Sequence, residues 1–593
     1  MHNKNMKAKY ILSGVLVAAS TVFSSCSDFF DQDSDHVTFT DNMHLDSPAD
    51  TIYSLTGIMA KMQALGDRTI LLGEARGDLV DVTNAAGSDL RDIAQFNVGD
   101  DNIYNSPRDY YAVINNCNLY ISKVDTALKN NRNQNIFLKE YAAVKAYRAW
   151  TYLQLAINYG RVPFVTEPIV TKAQSDATYE TKDIRDLCNW LVKDIAPLAN
   201  EEYPGLGMLG VTNSRMLYFP IYAVMGDLNL WAGNYAEAAV AYYNAITTAN
   251  GANSFFPTGT SSVTWMDAGS WNGIGDSWTS DFTNERFSSS RELLTMIAGD
   301  SIPSQGNYSQ LRNIFNSDEE NNFEVSLVPS QALQDLSAAQ KYCSVTSNGD
   351  TIYAPSNLND QYAGDLRLFS AWSKLSNFTY RGRQINYQSI RKYTTRNVHI
   401  YRRTMLYLRL AEALNRAGYP RFAYQILSSG VNNKVIADKV LPYYQTAVDS
   451  AFINLFSFPS TSTTGYIVAD LTNQSQYYNT IGIHSRGSGW SQANKYYQMP
   501  DDTTLNATDR LNYQIDRVEK MIVDEGALEF AFEGTRYYDL VRVALRRNDP
   551  AFLADRIYNR RGSAHVDEMK SEIKKDLMNT NNWFLNWNGK IGL

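Results

Sequence analysis

The chain has 593 residues, 44% of them hydrophobic and 20% charged, which excludes wholesale disorder and suggests about three to four domains of average size. Its formal charge of -8 argues against a partner with a phosphate backbone, so nucleic acid is not expected to bind. Four cysteines exclude a disulfide scaffold, and 39 tyrosines against 24 phenylalanines lean the chain toward polar ligands, because a tyrosine ring packs while its hydroxyl hydrogen-bonds.

The first residues read as an address. Lys4, Lys7 and Lys9 precede an uncharged stretch from Ile11 to Phe23, which is too short to span a bilayer and fits the apolar core of an export signal. Small residues Ser24 and Ser25 then lead into Cys26. That arrangement resembles a bacterial lipobox, with Phe23 where the usual pattern has Leu, and it implies that Cys26 is acylated and becomes the mature N-terminus. Residues 1–25 are therefore expected to be a signal peptide. They carry three lysines and no acids, so their removal takes the charge from -8 to -11. The acidic run behind Cys26, Asp28 to Asp35, resembles the surface-export signal of Bacteroidetes lipoproteins, and several acyl chains would give a stable membrane anchor.

The body reads as mainly helical. Tyr110–Leu128 and Phe137–Tyr159 have helical periodicity, and Ala142, Ala146, Ala149, Leu153 and Ala156 form one small-residue face of the second. Gly160 and Pro163 stop it. Ser214–Trp231 reads as a further helix, followed by a Gly233-Asn234 turn and a partner helix from Tyr235 through Ile246. This pair resembles a tetratricopeptide unit, and such units must stack to bury their faces. Further candidate pairs are Arg403–Gly418 with Arg421–Ser428, and Leu511–Glu533 with Tyr537–Arg547. Between them lies a Gly-, Ser-, Asn- and aromatic-rich insertion, where Arg291–Ala298 reads as a short strand, and a second irregular stretch covers about 435–500.

Three blocks carry a specific resemblance. The first runs from Glu140 through the Ala/Arg-rich helix to Tyr159-Gly160-Arg161-Val162-Pro163. The second is Tyr407 to Gly418, preceded by Asp365-Leu366-Arg367, and the third is Glu529 to Arg542, containing Phe532-Glu533-Gly534-Thr535-Arg536. In this order behind a lipobox, they resemble the SusD/RagB family of outer-membrane nutrient-binding lipoproteins. The resemblance covers residues 26–593. It implies a mainly α, tetratricopeptide-like scaffold with long loop-rich insertions and a few short strands. Region 26–250 is then an N-terminal helical part, 251–400 a loop-rich insertion carrying the ligand face, and 401–593 a C-terminal helical part. The acids of the blocks read as structural. Glu533, Arg536, Asp539 and Arg542 are spaced to pair at i,i+3, as are Arg409 and Glu412.

The resemblance further implies non-catalytic capture of an oligosaccharide or oligopeptide outside the cell and its delivery to a SusC-like TonB-dependent transporter. Sugar recognition needs flat aromatic faces with amides and charges for the hydroxyls. Trp265, Trp271 and Trp278, with Asp267, Asn272 and Asp276, are the leading platform, and glycines 269, 273 and 275 keep that stretch from forming a helix. Arg76 and Asp78, in Leu71–Asp78, and Arg486, in Gly482–Trp490, are further ligand candidates, each with a loop-bracing role as the alternative. No cofactor motif is present, and the six histidines and the cysteines Cys117, Cys188 and Cys343 show no metal-ligand spacing. Two other classes remain: a scaffold that binds only proteins, and a glycoside hydrolase, for which paired carboxylates among 62 acidic residues are uninformative.

Overall fold

The computed structural model describes residues 48–205, 207–209, 212–247, 262–268, 271–283, 292–299, 308–345, 350–353, 364–458, 482–561 and 568–593. The signal segment and Cys26 lie outside them. The principal helices are α1 (Pro48–Glu74), α2 (Pro107–Lys123), α3 (Leu138–Tyr159), α4 (Ile184–Ile195), α5 (Ile221–Ala232), α6 (Tyr235–Thr247), α7 (Arg403–Arg416), α8 (Pro420–Ser428), α9 (Ala507–Phe530), α10 (Arg536–Arg547) and α11 (Pro550–Tyr558). The strands used below are β1 (Val80–Val82), β2 (Val263–Ala268), β3 (Trp271–Asp276), β4 (Leu293–Ile297), β5 (Leu327–Pro329), β6 (Trp372–Tyr380), β7 (Arg383–Ile390) and β8 (Val398–Arg402).

The helix boundaries follow local chemistry. Asp183 caps α4 by accepting from the Asp186 amide, and Asn506 caps α9 through the Asp509 amide. Proline opens α2 and α8, where its missing N–H costs nothing. Gly233 ends α5 at φ +84°, the left-handed turn that lets α6 fold back. The single helix expected over Ser214–Trp231 is divided. Ser214–Leu217 forms a 3-10 turn, Pro220 is extended, and α5 begins only at Ile221. Helix α2 stops at Lys123, earlier than the expected Leu128, because Val124 turns extended.

Packing proceeds hand to hand. Helix α2 packs on α3, α3 on α4, α4 on α5 and α5 on α6. Helix α6 then packs on α7, although the insertion separates them in sequence, and α9 lies across α7 and α8. The expected pairs are thus neighbours in one stack. Buried tyrosines and Trp150 fill the interior beside Leu, Ile, Val and Ala. Phe219 stacks on Trp150 at 4.7 Å between ring centroids.

Among the described residues, strands pair only as two-stranded antiparallel sheets. The expected strand at 291–298 forms as β4, paired with β8. The tryptophan segment, expected to be a loop, is the hairpin β2–β3. No helix among the described residues is long and apolar enough to cross a membrane. Cys117, Cys188 and Cys343 are buried free thiols, and burial pushes the Cys117 thiol up to about 12.

Candidate ligand face and its anchorage

A buried charge network forms the foundation. Near the end of α9, Glu529 meets three guanidinium groups: Arg367 at 2.8 Å, Arg402 at 2.7 Å and Arg486 at 3.8 Å. Arg367 also bonds Asp365 at 2.8 Å and Glu525 at 2.6 Å, while Arg402 reaches Glu533 at 2.6 Å. Burial alone would raise Glu529, but the three arginines hold its carboxyl well below the usual range. Desolvation lowers Lys392 to about 8, although it pairs with Glu533. Buried pairs of this kind add little net stability, yet removing one partner strands the other charge. The network fixes geometry. It ties α9, the Asp365 turn, β8 and the 482–490 turn to one point.

Two hairpins spring from this foundation side by side. Trp278, just beyond β3, is 1% exposed, donates its indole N–H to Glu529 at 3.3 Å and receives the Lys392 ammonium over its ring at 4.9 Å. Asp276 closes β3. Its carboxylate accepts from Ser370 at 2.6 Å, just before β6, and from Arg391 at 3.4 Å, just after β7. Hairpins β2–β3 and β6–β7 therefore share one root.

Hairpin β6–β7 carries an aromatic row. Its register pairs Leu375 with Tyr387, Phe378 with Ile385 and Tyr380 with Arg383, and paired residues share a face. An irregularity between Leu375 and Phe378, with Asn377 at φ +58°, keeps Leu375 and Phe378 on that same face. Tyr380 and Arg383 flank a two-residue Arg381-Gly382 turn in which both residues have positive φ. Leu375 is 50% and Phe378 37% exposed. The Phe378 and Tyr387 rings lie 5.6 Å apart, and Phe323 extends the row by meeting Tyr380 at 4.9 Å. Phe323 sits at φ +66°, an uncommon conformation for a bulky residue, held by its amide bond to the Asp318 carbonyl at 2.8 Å. Polar groups rim the row. Glu319 accepts from the Tyr380 hydroxyl and pairs with Arg381 at 3.2 Å. On the opposite face of the hairpin, Gln384 bonds Thr379 at 2.7 Å. Flat hydrophobic rings beside carboxylate and guanidinium groups match the mixed faces of a sugar ring.

The sequence-derived candidates divide into two groups. Register places Trp265 opposite Ile274, Trp271 opposite Ala268 and Asn272 opposite Asp267 in the hairpin β2–β3; the side chains of Trp265, Trp271 and Asn272 lie outside the described residues. The others are committed to the scaffold. Arg76 is 1% exposed, donates to the Leu72 carbonyl and Asn158, and lies 4.2 Å over the Tyr537 ring. Asp78 receives a forked bond from Arg536. Arg486 is 2% exposed and bonds Glu292 at 2.8 Å and Thr404. With Trp278 and Asp276 these residues are braces, because their polar atoms already face protein partners. The expected i,i+3 pairings hold only for Asp539 with Arg542 at 2.7 Å. Arg536 goes to Asp78, Glu533 to Arg402, Arg409 to Asp227, and Glu412 to Arg542 at 2.7 Å. Packed helices offer these charges tertiary partners with better fork geometry than one turn of the same helix. Sequence reasoning missed the aromatic row; its signal is the Arg381-Gly382 turn between Phe378-Thr379-Tyr380 and the alternating run Arg383 to Tyr387, with the alternation of the first strand broken at Asn377.

No protein-family model and no curated protein matches the sequence. Solved structures do match. A SusD superfamily protein from Bacteroides vulgatus is similar over 91% of this chain and 96% of its own, with 15% identity and a TM-score of 0.56. A SusD-like carbohydrate binding protein from Bacteroides fragilis is similar over 85% and 87%, with 12% identity and a TM-score of 0.51. A further SusD-like protein from Bacteroides fragilis gives 84%, 86%, 14% and 0.50. The helical stack, its interrupting hairpins and this likeness over most of the chain together identify the fold as that of the SusD superfamily.

Proposed function

We propose that this chain is a non-catalytic, surface-anchored carbohydrate-binding protein of the SusD type. The observation that carries this reading is the partly exposed row Leu375–Phe378–Tyr380–Tyr387, extended by the half-buried Phe323, on a SusD-like fold. The name of the carbohydrate-binding neighbour supports the ligand class. Cys26, acylated after removal of residues 1–25, would anchor the protein in the outer membrane facing the exterior. A SusC-like TonB-dependent transporter is the proposed recipient of the ligand.

A non-catalytic role is supported by where the perturbed acids lie. Glu74, raised by burial to about 8, is 0% exposed and accepts from the Gly534 amide at 2.8 Å, out of reach of any substrate. Glu529, Glu533 and Glu412 are locked in ion pairs. Titration calorimetry of the chain from Ser27 onward, against oligosaccharides and peptide mixtures, tests the reading. Saturable heat from one glycan class without turnover is expected. Heat from peptides alone would make the ligand an oligopeptide, and product formation would make the protein a hydrolase.

A further inference from the structure

The aromatic row is a strip of separate facets. On β7 its positions follow at two-residue steps, Arg383, Ile385 and Tyr387, each opposite its β6 partner Tyr380, Phe378 and Leu375. A two-residue step along a strand is about 7 Å, close to the length of one sugar ring with its linkage, so the three rungs cover about 14 Å. Phe323 adds a further position at the Tyr380 end, with its ring 4.9 Å from that of Tyr380. Neighbouring rings do not share a plane. Phe378 and Tyr387 are tilted by 51°, and Phe323 and Tyr380 by 52°. One flat sugar can lie against only one such facet, whereas successive units of a chain can each take their own.

The charges around the strip cancel. Asp318 pairs with Arg312 at 3.0 Å, Glu319 with Arg381 at 3.2 Å and Glu320 with Arg396 at 3.1 Å. The exposed Glu324, next to Phe323, and the exposed Arg383, across from Tyr380, are opposite in sign. Of the six rung residues only Arg383 is charged, and it stands at one end. A glycan with a carboxylate on every unit would therefore meet no run of counter-charges along the rungs.

We infer that the row takes a neutral, linear glycan laid lengthwise along the hairpin, several consecutive units at once, and neither a single sugar nor a polyanionic chain. The inference rests on the reading of the row as the carbohydrate face and adds to it the form of the ligand. Each facet gives a small contact, and the linkages hold the units in series, so affinity builds with chain length until the facets are filled.

The test is calorimetric titration of the mature protein with defined oligosaccharides of one to six units from linear β-glucan, β-mannan and β-xylan, with oligogalacturonates as the charged comparison. In the series that binds, affinity is expected to rise at least about tenfold between two and four units and to level off by about six. Phe323→Asn removes the end facet with a residue that tolerates the positive φ at this position. It is expected to weaken the longer oligomers at least about threefold and to leave the dimer unchanged. A retained cooperative melting transition shows that the variant is folded. A monosaccharide that binds as tightly as the hexamer overturns the inference while the carbohydrate reading stands. So does an oligogalacturonate that binds more tightly than every neutral series, or a set of long oligomers that Phe323→Asn does not weaken. Silence from every saccharide overturns both.

Discussion

Gly73 and Gly534 touch backbone to backbone: a Cβ on Gly73 would stand 1.8 Å from the Gly534 carbonyl oxygen. Gly534 itself has φ +79°, and a Cβ there would fall 2.7 Å from Ile70 Cα. Around this contact two motifs far apart in sequence lock together. Glu74 accepts from the Gly534 amide, Asp78 takes the Arg536 fork, and Arg76 lies over Tyr537. The motif at the end of α1 and the motif opening α10 are the two halves of one joint.

Gly73→Ala is therefore expected to destabilise the protein by about 3 kcal/mol or more, because neither backbone can yield within a packed joint. Gly57→Ala is the control. It lies in the same helix with nothing within 4 Å of the added methyl, and it is expected to be neutral or to stabilise by about 0.5–1 kcal/mol. Urea midpoints of the two variants check both outcomes.

Asp78→Asn leaves Arg536, 4% exposed, without its carboxylate. The expected cost is about 3–5 kcal/mol, since an uncompensated buried charge remains. Burial would raise the Asp78 carboxyl, but Arg536 holds it below its ordinary value. Its contribution is thus complete above the unfolded carboxylate range and is lost as pH falls through the folded value. The acid limb of the stability curve should flatten in the variant.

Glu74 predicts the opposite slope. Burial raises it from 4.5 to about 8, so over that window the native state binds a proton that the unfolded chain has released. Stability from this group is full below about 4.5 and falls as pH rises toward 8. Glu74→Gln keeps an acceptor for the Gly534 amide and removes the titration. The variant should lose the decline between pH 4.5 and 8, a gain on the order of 1–3 kcal/mol at pH 8 in chemical denaturation. An unchanged slope would show that Glu74 is ionised in the native state.

Trp278→Phe tests the shared root of the hairpins. It removes the indole bond to Glu529 while keeping a ring under Lys392. The expected loss is about 1–3 kcal/mol, with weaker glycan binding, because the Asp276 bridge to β6–β7 loses its anchor. Hydrogen exchange should rise in both hairpins and stay unchanged in α5 and α6.

The scaffold was largely legible in the sequence. Helical periodicity located α3, α6, α7, α8 and α10, and the motif blocks pointed to the fold, because stacked helices bury a regular face that repeats in the chain. Charge pairing was not legible. Arg536 and Glu412 chose partners from other elements, and sequence spacing carries no record of which helices meet. The proposed ligand face was half legible. Tryptophan density drew attention to β2–β3, yet Trp278 is an anchor. The alternation of Leu375, Phe378 and Tyr380 is masked by the irregularity at Asn377, which shifts the period within the strand.

The most direct measurement is calorimetric titration of the mature protein with the glycan class that binds it, compared with its Phe378→Ala/Tyr380→Ala variant. Phe378 packs on Tyr387 and the half-buried Tyr380 on Phe323, so a modest drop in melting temperature is expected, and a retained cooperative transition shows that the variant is folded. The affinity is expected to fall at least about tenfold, or ~1.4 kcal/mol. Equal affinity in the folded variant would contradict the assignment of the aromatic row as the ligand face.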